Sequence, residues 1–274
     1  MRAAAEPWSF AGRVMVVTGA AQGVGEATAR LMAARGAAGL ALLDRNRAGI
    51  EALAAELGAA GTPCEPIVVE LVEVEACRAA IDRAGARFGT LSGLVNAAAL
   101  TDRGTIDDTT PELFDRMIAV DARAPFFLIQ RILPWLRRAG GGTIVNVVSQ
   151  TIWSGPDYLA PYVAAKGALA AITRNVAAAV IKDRIRVTGL NLGWTVTPSE
   201  HLVQTRVHGR PENWAEIEGA RQPMGRLLDA RDAARAICFL ASDESALMTG
   251  TIVDFDQRVV GVLAPSGPRS AASP

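Results

Sequence analysis

Tyr162 and Lys166 stand four residues apart in the run Tyr162-Val163-Ala164-Ala165-Lys166. Residues at i and i+4 share a helix face, so an ammonium can sit beneath a phenol. A phenol alone is a poor base at neutral pH, with a reference pKa of about 10. A fixed cation favours the phenolate and lowers that value. Bringing it to about 7 takes roughly 4 kcal/mol of differential stabilisation, more than one lysine supplies. Lys166 and Lys182 are the only lysines in a chain that otherwise uses arginine. The compact ammonium and the planar guanidinium are not interchangeable. The pair suits general acid/base chemistry. Ser149 lies upstream, directly after the apolar run 143–148. That run reads as a buried parallel strand, and the carboxyl end of such a strand is where α/β sheets put their sites.

These residues need a scaffold, and its first element is near the N-terminus. Residues 13–18 form a short β-branched run, read as a strand. Gly19-Ala20-Ala21-Gln22-Gly23-Val24-Gly25 follows at once, then residues 26–35 have helical composition and Gly36 suits the helix end. Glycine permits a tight turn and lets a phosphate approach the backbone. The helix beginning there points its amide groups and positive dipole end at that phosphate. The spacing is G-x-x-x-G-x-G, which differs from the usual dinucleotide fingerprint. A second strand, 39–44, ends in Asp44. An acid about twenty residues past the turn can accept hydrogen bonds from a ribose 2′-OH and repels a 2′-phosphate. Asp44 therefore favours NAD over NADP. Arg45 and Arg47 follow and could partly neutralise it; the plain alternative is that Asp44 caps the helix starting near Asn46.

Further strand-like runs are expected at 66–71, 91–96, 143–148, 184–191 and 251–255, with Ala-rich helices at 73–88, 111–138, 160–182 and 229–242. Such alternation implies an α/β fold: a single doubly wound, Rossmann-type domain with a parallel seven-stranded sheet flanked by helices and right-handed crossovers. Its span is read as 10–260, with a Pro-, Ser- and Ala-rich tail at 261–274 that is flexible or lies at an oligomer interface.

Together these residues resemble the short-chain dehydrogenase/reductase family in its single-domain form. The likeness runs from about Phe10 to about Gln257. Thr18-Gly19-x-x-x-Gly23-x-Gly25 matches the family's cofactor turn, and Ser149, Tyr162 and Lys166 match its catalytic positions. Gly193 and Thr197 fall where the family closes over the nicotinamide, and Met248-Thr249-Gly250 matches its entry to the last strand. The resemblance implies hydride transfer between NAD and a secondary alcohol or ketone. Ser149 would hold the substrate oxygen, Tyr162 would exchange its proton, and Lys166 would hold the ribose and lower the phenol pKa. Gln22, Val24, Asp44, Arg45, Glu70, Leu71, Asn96, Ala97, Ala98 and Thr195 complete the implied cofactor set. The chain departs from the family at three places. It has Asn96-Ala97-Ala98-Ala99 where the family often has Asn-Asn-Ala-Gly, Leu192-Gly193 where the family has Pro-Gly, and Asp121 where the fourth catalytic position is usually Asn. That Asn holds a water in the proton path to the lysine; Asp121 could do so with its backbone carbonyl, or place a carboxylate near Lys166.

Substrate contacts are expected from the segment 198–221, whose length and polarity suit a lid. It carries His201, Arg206, His208, Arg210, Trp214 and Arg221, while Trp153 and Trp194 flank the catalytic strand ends. Polar groups mixed with aromatic rings suit a sugar, polyol or cyclic alcohol. Arg206 and Arg210 could also grip an anion. Asp256 and Gln257 are read as stabilising the C-terminal turn.

Composition narrows the function classes. Net charge is zero with no basic stripe, which argues against nucleic-acid binding and membrane-surface attraction. No run reaches the length of a membrane span, and residues 1–10 lack the apolar core of a signal peptide. Cys64, Cys77 and Cys238 are widely spaced, reading as reduced thiols of a cytoplasmic protein. His201 and His208 show no metal-ligand spacing, so no metal is expected. A homo-oligomer, dimer or tetramer, is expected from the resemblance, through the helices around Phe126 and Ala170. Two other readings stay open: an NADPH-dependent reductase of ketones or oxoacyl groups, and a non-catalytic NAD-binding sensor or scaffold.

Overall fold

The computed structural model of the chain describes residues 8–259. Strand β1 (Val14–Thr18) is buried along its whole length, as a strand covered on both faces must be. Helix α1 (Gly23–Ala34) starts inside the glycine turn, three residues earlier than its composition suggests. Then come β2 (Gly39–Asp44), α2 (Arg47–Ala59), β3 (Cys64–Val68), α3 (Val74–Phe88) and β4 (Gly93–Asn96). Strand β3 begins and ends earlier than the expected 66–71. It is an edge strand, so Pro66, which has no N–H to donate, is tolerated within it. Glu70 and Leu71 thereby fall in the loop beyond the sheet.

Residues 111–138 are not one helix. Helix α4 (Pro111–Ile118) passes through a π-helical turn at Ala119–Arg123 into α5 (Ala124–Arg138). Strand β5 (Gly142–Ser149), the short α6 (Thr151–Ser154), α7 (Ala160–Val180) and β6 (Ile185–Leu192) follow. A two-residue strand β7 (Thr195–Val196) leads to α8 (Pro198–Leu202), a second π-helical turn at Val203–Val207 and α9 (Trp214–Ala220). Strand β8 (Leu228–Asp229) pairs with β7, α10 (Ala230–Ala241) starts in a capping box on Asp229, and β9 (Ile252–Phe255) ends the sheet.

The seven strands lie in the order β3-β2-β1-β4-β5-β6-β9, all parallel. The order reverses between β1 and β4, which opens a crevice at their carboxyl ends. Helices α3, α5 and α7 cover one face of the sheet and α1, α2 and α10 the other. The helix running Ala160–Asp183 is long and apolar enough to cross a membrane by length and composition, contrary to the sequence expectation. Its placement explains the composition: it packs on β5 and β6 and carries the buried Lys166. The tail expected at 261–274 lies outside the described residues.

Candidate active site

Tyr162 and Lys166 sit on the first turns of α7, with the Lys166 Nζ 5.6 Å from the centre of the Tyr162 ring. The ammonium donates to the Val147 carbonyl at 3.0 Å, which fixes it against β5. Ser149 ends that strand. Its Oγ accepts from the Thr151 amide at 3.3 Å and the Thr151 hydroxyl at 3.0 Å, leaving its own proton for Tyr162 or a substrate oxygen.

Asp121 lies in the π-helical turn, fully buried. Its Oδ1 accepts from the Leu100 amide at 2.8 Å, and its Oδ2 stands 3.7 Å from Lys166 Nζ. The carboxylate itself therefore faces the lysine. That gap is too long for a hydrogen bond but close for an ion pair, and Oδ2 has no hydrogen-bond partner among the described residues. Burial pushes Asp121 up to about 6, with Lys166 holding it down. Burial also lowers Lys166, and Asp121 opposes that shift. The Tyr162 phenol is raised above its ordinary value, first by burial and next by the Asp121 carboxylate; hydrogen bonding with Ser149 acts the other way. The sequence expectation that Lys166 lowers the phenol pKa is thus offset here, because the ammonium has its own buried counter-charge.

A cavity of about 1480 Å³ opens above the carboxyl ends of the strands. At one end stands the glycine turn. Gly19 has φ +68°, and a Cβ on it would lie 2.8 Å from the Ala98 backbone. A Cβ on Gly25 would lie 2.2 Å from the Gly19 carbonyl, so helix and turn can pack this closely only with glycine. Gln22 precedes α1 without capping it, which leaves the first-turn amides available to an anion. The Gln22 amide donates to Ser199 Oγ at 2.5 Å, and Thr197 packs beside Gly23, so the start of segment 198–221 closes over the turn.

Asp44 lines the cavity at the end of β2. Its carboxylate accepts from the Ala21 amide at 3.1 Å and the Asn46 amide at 2.9 Å. Asn46, not Asp44, caps α2. Val24, Arg45, Glu70, Leu71, Ala97, Ala98, Gly193, Thr195 and Thr197 also line the cavity. Thr18 and Asn96 do not. Thr18 Oγ1 accepts from the Ala97 and Ala98 amides at 3.1 Å each, and Asn96 donates to Asn146 at 2.8 Å; both brace the wall from behind. A glycine cradle at a free helix start, with an acid beyond the second strand, fits a nicotinamide dinucleotide.

The other end of the cavity holds Trp153, Trp194 and Arg210. Trp194 stacks on Trp214 at 5.5 Å and donates to Glu200 Oε1 at 2.8 Å. Arg210 lies over the Trp194 ring at 5.6 Å and pairs with Glu218 at 2.9 Å. Arg206, expected as a substrate contact, is exposed and does not line the cavity. It projects from the π-helical turn, whose inward position is taken by buried Gln204. Arg103, Tyr158, Glu200 and Gln204 line the cavity and were not singled out by the sequence. Arg103 and Tyr158 come from separate loops, Glu200 and Gln204 from α8 and the π-helical turn that continues it, and none carries a motif. Among the described residues no cluster of ligating side chains suits a metal ion.

Residues 19–257 match the family model described as enoyl-(acyl carrier protein) reductase. The chain belongs to the short-chain dehydrogenase/reductase family. Among its relatives in that family is a cis-4-hydroxycyclohexanecarboxylate dehydrogenase of Sinomonas cyclohexanicum, 35% identical over 90% of this chain and 96% of the relative. A probable galactose dehydrogenase of Rhizobium meliloti is 34% identical over 89% and 93%. Solved dehydrogenase/reductase structures agree: a 3-ketoacyl-(acyl-carrier-protein) reductase of Brucella melitensis complexed with NADH superposes with a TM-score of 0.81 at 30% identity, covering 91% of this chain and 98% of its own. As a family member this chain is an oxidoreductase acting on CH–OH donors with a nicotinamide cofactor.

Proposed function

We propose that the chain transfers a hydride between NAD and a secondary alcohol or ketone on a cyclic or polyhydroxylated molecule. The observation that carries the NAD preference is Asp44. Its carboxylate lines the cavity and is held by two backbone amides. An anion fixed there accepts from a ribose hydroxyl and repels a 2′-phosphate. Relatives acting on a hydroxycyclohexanecarboxylate, galactose and threitol support the substrate class. A bound dinucleotide supplies the hydride donor or acceptor and, when oxidised, a cationic ring. Ser149 donates to the reacting oxygen and orients it. Tyr162 exchanges the proton with that oxygen. Lys166, fixed by Val147 near the Tyr162 ring, would be the hydrogen-bond donor for a ribose of the bound dinucleotide.

The test compares NAD with NADP in initial rates over cyclic alcohols, sugars and polyols, for the wild type and Asp44→Ala. A charge-assisted contact is worth about 1.5–3 kcal/mol, so the kcat/KM preference for NAD should fall by roughly 10- to 100-fold in the variant. An unchanged preference would remove Asp44 from that role, and a wild type preferring NADP would return the reading to a ketone or oxoacyl reductase. We further propose a homo-oligomer: α5 leaves Phe126 39% exposed and α4 leaves Phe114 42% exposed, apolar surface that a second copy would cover. A cytoplasmic setting is supported by three free cysteines, two of them buried.

A further inference from the structure

We infer that Arg103 anchors a carboxylate carried on the ring of a cyclic alcohol substrate, and that Glu200 is the internal competitor for the same guanidinium. This rests on the alcohol dehydrogenase reading above. Arg103 lies in the loop after β4, at the cavity wall, with its side chain only 16% exposed. Its Nη1 donates to the Thr101 carbonyl at 2.6 Å. The remaining contacts are loose: Nε reaches His208 Nε2 at 3.3 Å, and Nη2 reaches Glu200 Oε2 at 3.5 Å. Charge-assisted bonds to carboxylates run at about 2.7–2.9 Å. A guanidinium has five donors in a rigid fork, so this mostly buried cation is under-bonded. The Tyr158 ring, 5.7 Å away, packs on its face and leaves its edge for a ligand.

Glu200 does not close that gap. Its Oε1 accepts from Trp194 Nε1 at 2.8 Å and from Gln204 Nε2 at 2.6 Å, which ties the carboxylate to groups other than Arg103. The two charges act on the Tyr162 phenol in opposite senses, Glu200 raising its pKa and Arg103 lowering it. Arg103, Ser149 and Tyr162 line the same cavity, so an anion held on Arg103 and an oxygen at Ser149 and Tyr162 share one pocket. The neighbouring cations are better occupied: Arg210 by Glu218 at 2.9 Å, and Arg116 by Asp102 at 3.2 Å. A relative acting on a hydroxycyclohexanecarboxylate has a substrate of this chemistry.

The experiment uses the full chain, with 4-hydroxycyclohexanecarboxylate and its carboxamide as paired substrates. Arg103→Gln should lower the acid-over-amide ratio of kcat/KM by roughly 10- to 100-fold, mostly through KM for the acid. Arg103→Lys should restore part of it, and Glu200→Gln should raise the ratio above wild type. Equal losses on both substrates in Arg103→Gln would mean that Arg103 only braces the lid, and would overturn the proposal. A second readout is independent of turnover: cyclohexanecarboxylate, which has no hydroxyl to oxidise, should raise the Tm of the wild type and not of Arg103→Gln. No rise in the wild type overturns the anchor. A rise without oxidation of either alcohol leaves the anchor standing and overturns the alcohol dehydrogenase reading alone.

Discussion

Tyr162 is the residue on which the reaction turns, and its surroundings set the direction of its pKa. Burial and the Asp121 carboxylate keep the phenol protonated. Tyr162→Phe removes the exchanging proton and no part of the glycine cradle. It should lower turnover by about 100- to 10,000-fold, the usual worth of general acid/base catalysis, with NAD binding close to normal by titration. A variant keeping most of its activity would refute the role. Asp121 gives a pH prediction. Its carboxyl is raised from 3.8 to about 6 by burial, so the folded protein binds this proton more tightly than the unfolded chain. The stability it contributes is full below about 3.8 and is lost as the pH rises through about 6. Asn cannot titrate, so the Tm of Asp121→Asn minus that of wild type should rise between about pH 4 and pH 7. The variant should stay active and lose an inflection near pH 6 in its rate profile; a folded but dead variant would contradict this. Neither Ser149 nor Lys166 needed the structure to be picked out. For Asp121 the resemblance leaves two options, its backbone carbonyl or its carboxylate near Lys166, and the structure places the carboxylate there, because 45 residues separate the pair and no helical spacing decides it.

At the scale of elements, the π-helical turn between α4 and α5 is what brings Asp121 to the lysine. A π-turn widens the helix locally and shifts which residues face inward, a feature frequent at functional sites. Ala-rich periodicity read through this turn as one helix, since composition is insensitive to a single inserted residue. Close approaches between helices were equally hidden. Gly85 on α3 meets Trp135 on α5 so closely that an added Cβ would lie 2.1 Å from the indole. Gly85→Ala should therefore cost about 1–3 kcal/mol by overpacking, read as a lower Tm with kcat little changed. An unchanged Tm would show that the indole simply moves aside. The early end of β3 was hidden too: a parallel ladder with only one neighbour tolerates Pro66, and Val69, Glu70, Leu71 and Val72 lie beyond the strand and line the cleft.

For the whole molecule, the exposed phenylalanines on α4 and α5 predict assembly. Phe126→Arg places a charge in the expected contact and should shift the sedimenting species to a smaller size at equal concentration; a wild type that already sediments as a monomer would remove the proposal. The sequence by itself determined the doubly wound sheet, the glycine turn, the acid at the end of β2 and the Ser-Tyr-Lys cluster. Each of these is a local pattern: strand and helix periods, glycines at a turn, two side chains on one helix face. The tertiary structure alone decided what meets across the cleft. It set the Asp121 carboxylate against Lys166, left Arg206 outside, and drew Arg103 and Tyr158 from separate loops to Glu200 and Gln204 on the helical segment after β7. Such contacts are fixed by the crossovers of the sheet and by competition for buried space, which no short stretch of sequence encodes.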